Sequence, residues 1–234
     1  EKRFNTIIED FGCLPHNHYK FLGASPDGIN VDINNDRYGR MLEIKNIVNR
    51  DIVDDPKKEY WVQMQLQMEV WNLDECDFLE TTFDIYENEE EFDKDGTFNL
   101  SNDCKQKGIM VQLFDGKEPI YKYAPLNKTK EEFDIWYDNV LDENPTLNWI
   151  CNIYWKINIF SCVLVPRNKK WFQSKIETIK DFWKIIEKER ITGYEHRKPK
   201  KRERKKKQPT SVVIKIDTSS LHKPSFSGDE VSNP

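Results

Sequence analysis

Hydrophobic and polar residues alternate through much of the first half of the chain. Residues 28–33 set Ile29, Val31 and Ile33 two positions apart, the period of a strand whose side chains point to its two faces in turn. Residues 6–14 and 21–25 read as short strands bounded by Gly, Pro and Asn. Residues 41–47 read as the next strand. Met41 or Leu42, Ile44 and Ile47 are expected on its buried face, with Glu43 and Lys45 opposite. Residues 57–71 alternate over 63–68 as a strand would, but Gln, Met, Leu and Glu favour helix. At helical spacing Trp61, Met64, Met68 and Trp71 form one apolar stripe with Tyr60, Gln63 and Gln67 beside it, so a helix is predicted there. Residues 76–86, 108–114 and 119–123 then read as strands. Helices follow over 129–142, opened by Thr129 and Glu132 at capping-box spacing, and over 169–190. The order of elements implies an α/β or α+β domain, with strands in the middle and helices at its flanks.

Composition narrows the class. Of 234 residues 33% are charged and 37% hydrophobic. The most apolar stretch, 149–165, is interrupted by Asn152, Lys156, Asn158 and Ser161, so a transmembrane protein is not expected. Seven Trp, nine Tyr and thirteen Phe supply enough bulk for a core. The five cysteines are scattered without a CxxC pair, which argues against a disulfide framework, a zinc knuckle or an iron–sulfur cluster and for a reducing, intracellular compartment. The first residue is not Met and no apolar leader follows it, so N-terminal helices upstream of residue 1 are expected to be missing.

Charge divides the chain. Residues 195–207 hold nine Lys/Arg against two Glu, or +7, which leaves −12 for the rest of a chain whose net charge is −5. A folded domain is therefore expected over 1–194 and a basic, disordered tail over 195–234, with a short strand at 212–216.

The segment from Gly23 to Gln67 carries candidate chemistry: Ser25-Pro26-Asp27-Gly28, then Glu43-Ile44-Lys45, then Tyr60 and Gln63. A phosphodiester is anionic and repels a hydroxide nucleophile, and a hard divalent cation removes that obstacle. Mg²⁺ is held by one or two carboxylates with waters and substrate. Asp27 and Glu43 supply those carboxylates if their strands adjoin, and the backbone carbonyl of Ile44 is a further oxygen donor. Lys45, two residues from Glu43 and on the same strand face, stands ready to orient a water and to offset charge on the phosphate. Gln63 is placed to hold a phosphate oxygen or that water from the helix.

These residues resemble the PD-(D/E)xK nuclease superfamily, with Pro26-Asp27 and Glu43-Ile44-Lys45 as its two halves. They are more closely similar to the YqaJ-like viral recombinases, relatives of phage lambda exonuclease, in the run from Leu22 to Ile29, in Glu43 to Lys45 and in Tyr60 to Gln63. The likeness spans about residues 1–85. It implies a restriction-endonuclease-like α/β core, a mixed central β-sheet flanked by helices, and Mg²⁺- or Mn²⁺-dependent exonuclease action on double-stranded DNA ends. It casts Asp27, Glu43, Lys45 and Gln63 as catalytic. The metal ligands are then Asp27, Glu43, the Ile44 carbonyl and Glu1, which falls near a family acidic position. Family arginines that grip the DNA end lie upstream of residue 1. Ser25, Tyr60 and Gln67 are expected to touch nucleic acid. The likeness further implies a ring-shaped homotrimer and a single-strand annealing protein as partner, at work in recombination, repair or replication. If the source is viral, the setting is the cytoplasm or nucleus of an infected cell. An endonuclease or repair nuclease of the same superfamily, and an inactive nucleic-acid-binding scaffold, are the alternatives.

Plainer readings apply elsewhere. Gln65 points away from Gln63 and is expected to be a solvated helix residue. His16 and His18 read as a polar loop before they read as metal ligands. Trp136 and Trp171 read as core.

Overall fold

The computed structural model describes residues 1 and 3–199. The strand expected at 212–216 and most of the basic tail lie outside the described residues. The chain runs β1 (Ile8–Glu9), β2 (Leu14–Pro15), β3 (Gly23–Ala24), β4 (Gly28–Asn30), β5 (Met41–Asn46), α1 (Lys58–Trp71), β6 (Glu75–Ile85), α2 (Glu89–Lys94), β7 (Lys107–Phe114), β8 (Pro119–Tyr123), α3 (Lys130–Glu143), β9 (Asn148–Pro166) and α4 (Lys169–Thr192). By its contacts it divides into Glu1–Glu187 and Lys188–Pro234. In the second of these, Arg197 clasps Glu189 through Nε and Nη2 at 2.6 and 2.8 Å.

Seven strands form one mixed sheet in the order β1-β4-β5-β6-β9-β7-β8, and β2 and β3 make a separate pair. Only β5 and β6 run parallel; every other pairing in the sheet is antiparallel. A parallel neighbour requires a crossover, and α1 is that crossover. The mixed sheet with flanking helices is the architecture expected from the sequence. Among the described residues no helix is long and apolar enough to cross a membrane.

The helix at 57–71 forms despite its strand-like alternation, because a 14-residue helix buries Met64 and Met68 together. They join Met41, Cys76, Phe78 and Val165 in one core cluster, with Tyr60 and Trp61 packed against it. A second core lies under α3. Phe133 joins Ile109 and Phe92 in one buried cluster, and Val140 joins Val111 and Leu113 in another. The capping box forms as expected: the Thr129 side chain accepts from Glu132 N–H, and Glu132 accepts from Thr129 N–H.

Four expectations are corrected. The early strands are shorter than their alternation implies, since β1 and β4 pair over only two residues each. The stretch 149–165, noted only for its hydrophobicity, is the 19-residue β9, which pairs with β6 along one edge and β7 along the other. Asn152 keeps its place in the β7 ladder and Lys156 pairs on both edges, so neither ends the strand. On β5 the buried face is that of Met41 and Glu43, while Ile44 is exposed; α1 covers the face that carries the acid. Gln65 is buried, its Nε2 donating to the Pro166 carbonyl at 3.0 Å and its Oε1 accepting from Asn168 N–H at 2.5 Å. It ties α1 to the entrance of α4, so it is a buried strut.

Two buried basic groups organise the loops. Lys107 is 1% exposed. Its three ammonium hydrogens meet three carbonyls, those of Phe92, Asp95 at 2.7 Å and Thr97 at 2.9 Å, and the Phe92 ring lies 3.9 Å below. Burial lowers its pKa from the ordinary lysine value. His16, in the loop after β2, is buried. Its Nδ1 accepts from His18 N–H at 3.0 Å and Tyr19 N–H at 3.1 Å, and its ring stacks on Phe172 at 6.0 Å.

Replacing Lys107 by Met leaves the Asp95 and Thr97 carbonyls without a donor and the Phe92 carbonyl with only the Asp95 N–H at 3.3 Å. Each unsatisfied buried group costs about 1–3 kcal/mol, so urea denaturation should show a loss of about 3 kcal/mol or more, with faster proteolysis between Glu87 and Gln106. Burial lowers the His16 pKa below 6.5, against a smaller raising effect of Glu69. The fold therefore favours the neutral ring. That stability is complete above about pH 6.5 and is lost as pH falls from there through the depressed folded value. The denaturation midpoint should drop over that window, and the His16→Asn protein should lack this part of the drop.

Candidate metal-dependent site on β5 and α1

β5 presents Glu43 and Lys45 on the face that α1 covers, and the pairing of β4 with β5 brings Asp27 alongside. The β4–β5 register pairs Gly28 with Leu42 and Ile29 with Met41, so the ladder stops where Asp27 begins. The Asp27 side chain takes over the next backbone group, its Oδ2 accepting from Ile44 N–H at 2.7 Å. A strand residue's N–H and C=O leave on the same edge, so the Ile44 carbonyl also leaves β5 on the Asp27 side. Gly28 lets β1 pack closely on the other edge of β4, because a Cβ there would run into the Ile8 side chain. From the other side α1 holds the preceding segment. Trp71 Nε1 donates to the Ala24 carbonyl at 3.0 Å and Gln67 Nε2 to the Ser25 carbonyl at 3.3 Å.

Glu43 is the centre of the arrangement and is 1% exposed. Its Oε1 receives Lys45 Nζ and also Gln63 Nε2 at 2.7 Å; its Oε2 receives Gln67 Nε2 at 2.8 Å. A carboxylate so deep is tolerated only when paired and hydrogen-bonded, and one cation and two amides meet that need. Gln63 and Gln67 lie one helical turn apart on α1 and so reach the same group. Lys45 Nζ lies 5.4 Å from the centroid of the Tyr60 ring. The nearby Cys76 thiol is buried and pushed far above its ordinary value, first by burial and then by the Glu43 charge, so it stays protonated and inert.

Glu43, Lys45 and Gln63 thus touch directly, and Asp27 is tied to them only through the Ile44 backbone N–H. Ser25 is exposed beside Asp27 and Tyr60 is half-buried beside Lys45. Gln67 is buried behind Glu43, with its amide spent on Glu43 and Ser25, whereas the sequence reading looked to it for nucleic-acid contact. Glu1 is not brought to the carboxylates. Its Oε1 accepts from Ile8 N–H at 3.0 Å, and it lines a hollow with Leu42, Asp77 and Leu79, whose positions alternate with those of Glu43 and Phe78.

The sequence reading overlooked Glu80 and Arg50. Glu80, 2% exposed, is the parallel-register partner of Lys45 and pairs with Arg50 Nη2. The signal was present: within 76–86 the alternation Cys76, Phe78, Glu80 puts an acid on the buried face.

Among the described residues no group of three or more His, Cys, Asp and Glu side chains gathers as a metal cage. A hard cation bound through Asp27 and Glu43 does not need one, because Mg²⁺ retains waters and uses one or two carboxylates. Glu43 has about four acceptor positions, and three N–H donors occupy it. In the same wall Gln67 Oε1 is buried and has no hydrogen-bond partner among the described residues. The donor set, all oxygen with one ammonium to balance it, fits Mg²⁺ or Mn²⁺.

Residues 1–82 match the model of the YqaJ-like viral recombinase domain, the family that the motifs resemble. The match ends within β6 and contains every residue of the cluster, which points to a nuclease or recombination role. The chain is also 32% identical, over 221 aligned residues, to "Uncharacterized protein R354" of Acanthamoeba polyphaga mimivirus. That similarity covers 79% of this chain, which spans 40% of the length of the relative it matches.

Removing the Lys45 cation leaves the Glu43 carboxylate held by two amides alone. Lys45→Ala should lower stability by up to about 3 kcal/mol, toward the cost of an unpaired buried charge. Adding Glu43→Gln should restore most of it in a urea-denaturation cycle. Mg²⁺ should raise the melting temperature of Lys45→Ala more than that of the unaltered protein.

Proposed function

We propose that this chain is a metal-dependent deoxyribonuclease that hydrolyses phosphodiesters from the ends of duplex DNA, in recombination or repair. The observation that carries the reading is the seating of Asp27 on the Ile44 N–H, which sets its carboxylate against the peptide that joins Glu43 to Lys45. A divalent cation held there would neutralise phosphate charge and lower the pKa of a bound water. Asp27, Glu43 and the Ile44 carbonyl are the groups that would hold it.

The chain's own residues do the rest. Gln63 and Gln67 fix the Glu43 carboxylate, so its position does not depend on solvent. Lys45 stands beside it with its ammonium restrained between Glu43 and the Tyr60 face, where it orients an attacking water and offsets charge that builds on the phosphate. The body of the protein is acidic, so local cations must hold the phosphate backbone. The domain match over residues 1–82 supports nuclease chemistry, and the preference for ends rests on the resemblance.

Purified protein with Mg²⁺ should degrade linear duplex and spare closed circles. Asp27→Asn and Glu43→Gln should each lower the rate by about 10³, several kcal/mol of lost stabilisation, with the fold verified by circular dichroism. Cleavage of closed circles would replace the exonuclease by an endonuclease, and full activity in both variants would remove the site.

A further inference from the structure

A second feature adjoins the carboxylate cluster. Directly after Lys45 the chain turns around a hollow of about 300 Å³, lined by Asn46, Asn49, Arg50, Lys57 and Tyr60 among others. The Tyr60 ring stands between this hollow and the cluster: Lys45 Nζ lies 5.4 Å from its centroid and Arg50 Cζ 5.6 Å. One ring therefore carries two cations, one from the cluster and one from the hollow.

Arg50 is held in place. Its Nη2 pairs with the buried Glu80, and its Nη1 donates to the Asp51 carbonyl at 3.0 Å. Glu80 in turn is fixed by its register opposite Lys45 on the parallel strands. Lys57 is exposed at the rim and begins α1 without a side-chain cap, so its charge stands next to the positive end of the helix. Arg50 and Lys57 bring two cations to a lining that itself holds no acid, and Glu80 behind Arg50 offsets one of them. Arginine donors and two asparagine amides are the groups that bind phosphate oxygens.

We propose that this hollow receives a second phosphate of the nucleic-acid strand, next to the one held at Glu43 and Lys45. Arg50 and Lys57 are its ligands and Glu80 is the residue that positions Arg50. The proposal rests on the phosphodiesterase reading above. The phosphate is either an internal diester or the monoester at the strand's end, and the two share the same chemistry.

The test is a coupling measurement. Duplex oligonucleotides carry one uncharged methylphosphonate at the phosphate on either side of the scissile bond, or a hydroxyl in place of the end phosphate. KM is measured in Mg²⁺ for the unaltered protein, for Lys57→Ala and for Arg50→Gln/Glu80→Gln, a pair that leaves no lone buried charge. Neutralising the phosphate in the hollow should raise KM about tenfold in the unaltered protein, the loss of one charge-assisted contact. In the double variant the same change should cost clearly less, about threefold, because Arg50 is gone and only Lys57 remains. A protein that folded but lacked this site would show the full loss in both. Coupling to a methylphosphonate identifies the diester, and coupling only to the end phosphate identifies the monoester. Losses that simply add in every arm overturn the proposal while leaving the nuclease reading intact. The same series is run as binding, by fluorescence anisotropy in EDTA with Asp27→Asn. The hollow is thereby judged even if no DNA is cut, the outcome that sinks the nuclease reading alone.

Discussion

The burial of one negative charge organises this half of the molecule. Glu43 lies between the sheet and α1, in a layer otherwise filled by Met41, Met64, Met68 and Phe78. A carboxylate in such surroundings is stable only if its acceptors are met. That requirement fixes which face of α1 points inward, where Lys45 folds back and how Gln67 lies. The Gln67 amide reaches past Glu43 to the Ser25 carbonyl, so the same requirement also holds the segment that delivers Asp27. The site and the core are built from the same contacts, and neither can be repacked independently of the other.

Much of this was legible in the sequence because local chemistry and tertiary demand agree. The capping box at Thr129 and the Met stripe of α1 each specify an element that the surroundings then accept. The meeting of Glu43, Lys45 and Gln63 was legible for the same reason: residues that share a face of one strand or one helix must meet whatever that face covers. What misled was hydrophobicity taken as a guide to burial on β5. Ile44 is apolar and exposed, Glu43 charged and buried, because the covering helix brings amides rather than methyl groups to that point.

The remaining discrepancies have a common origin in long-range pairing. Nothing local marks Glu80 as the neighbour of Lys45, since a parallel register depends on where the crossover helix ends. Gln65 looked solvated because its partners, the Pro166 carbonyl and the Asn168 amide, lie about a hundred positions further along. β9 was hidden by its polar interruptions, which the ladders with β7 and then β6 carry across.

The way β9 is shared has a consequence for how such a protein can change over time. Its first part pairs with β7 and its later part with β6, and only Trp155 and Lys156 pair with both. The far layer, β7 and β8 beneath α3, is thus spliced to the near one through a single backbone. Within the sheet β7 and β8 reach β5 and β6 only through β9, so a change of length at that outer edge leaves the β5–β6 register under Glu43 in place.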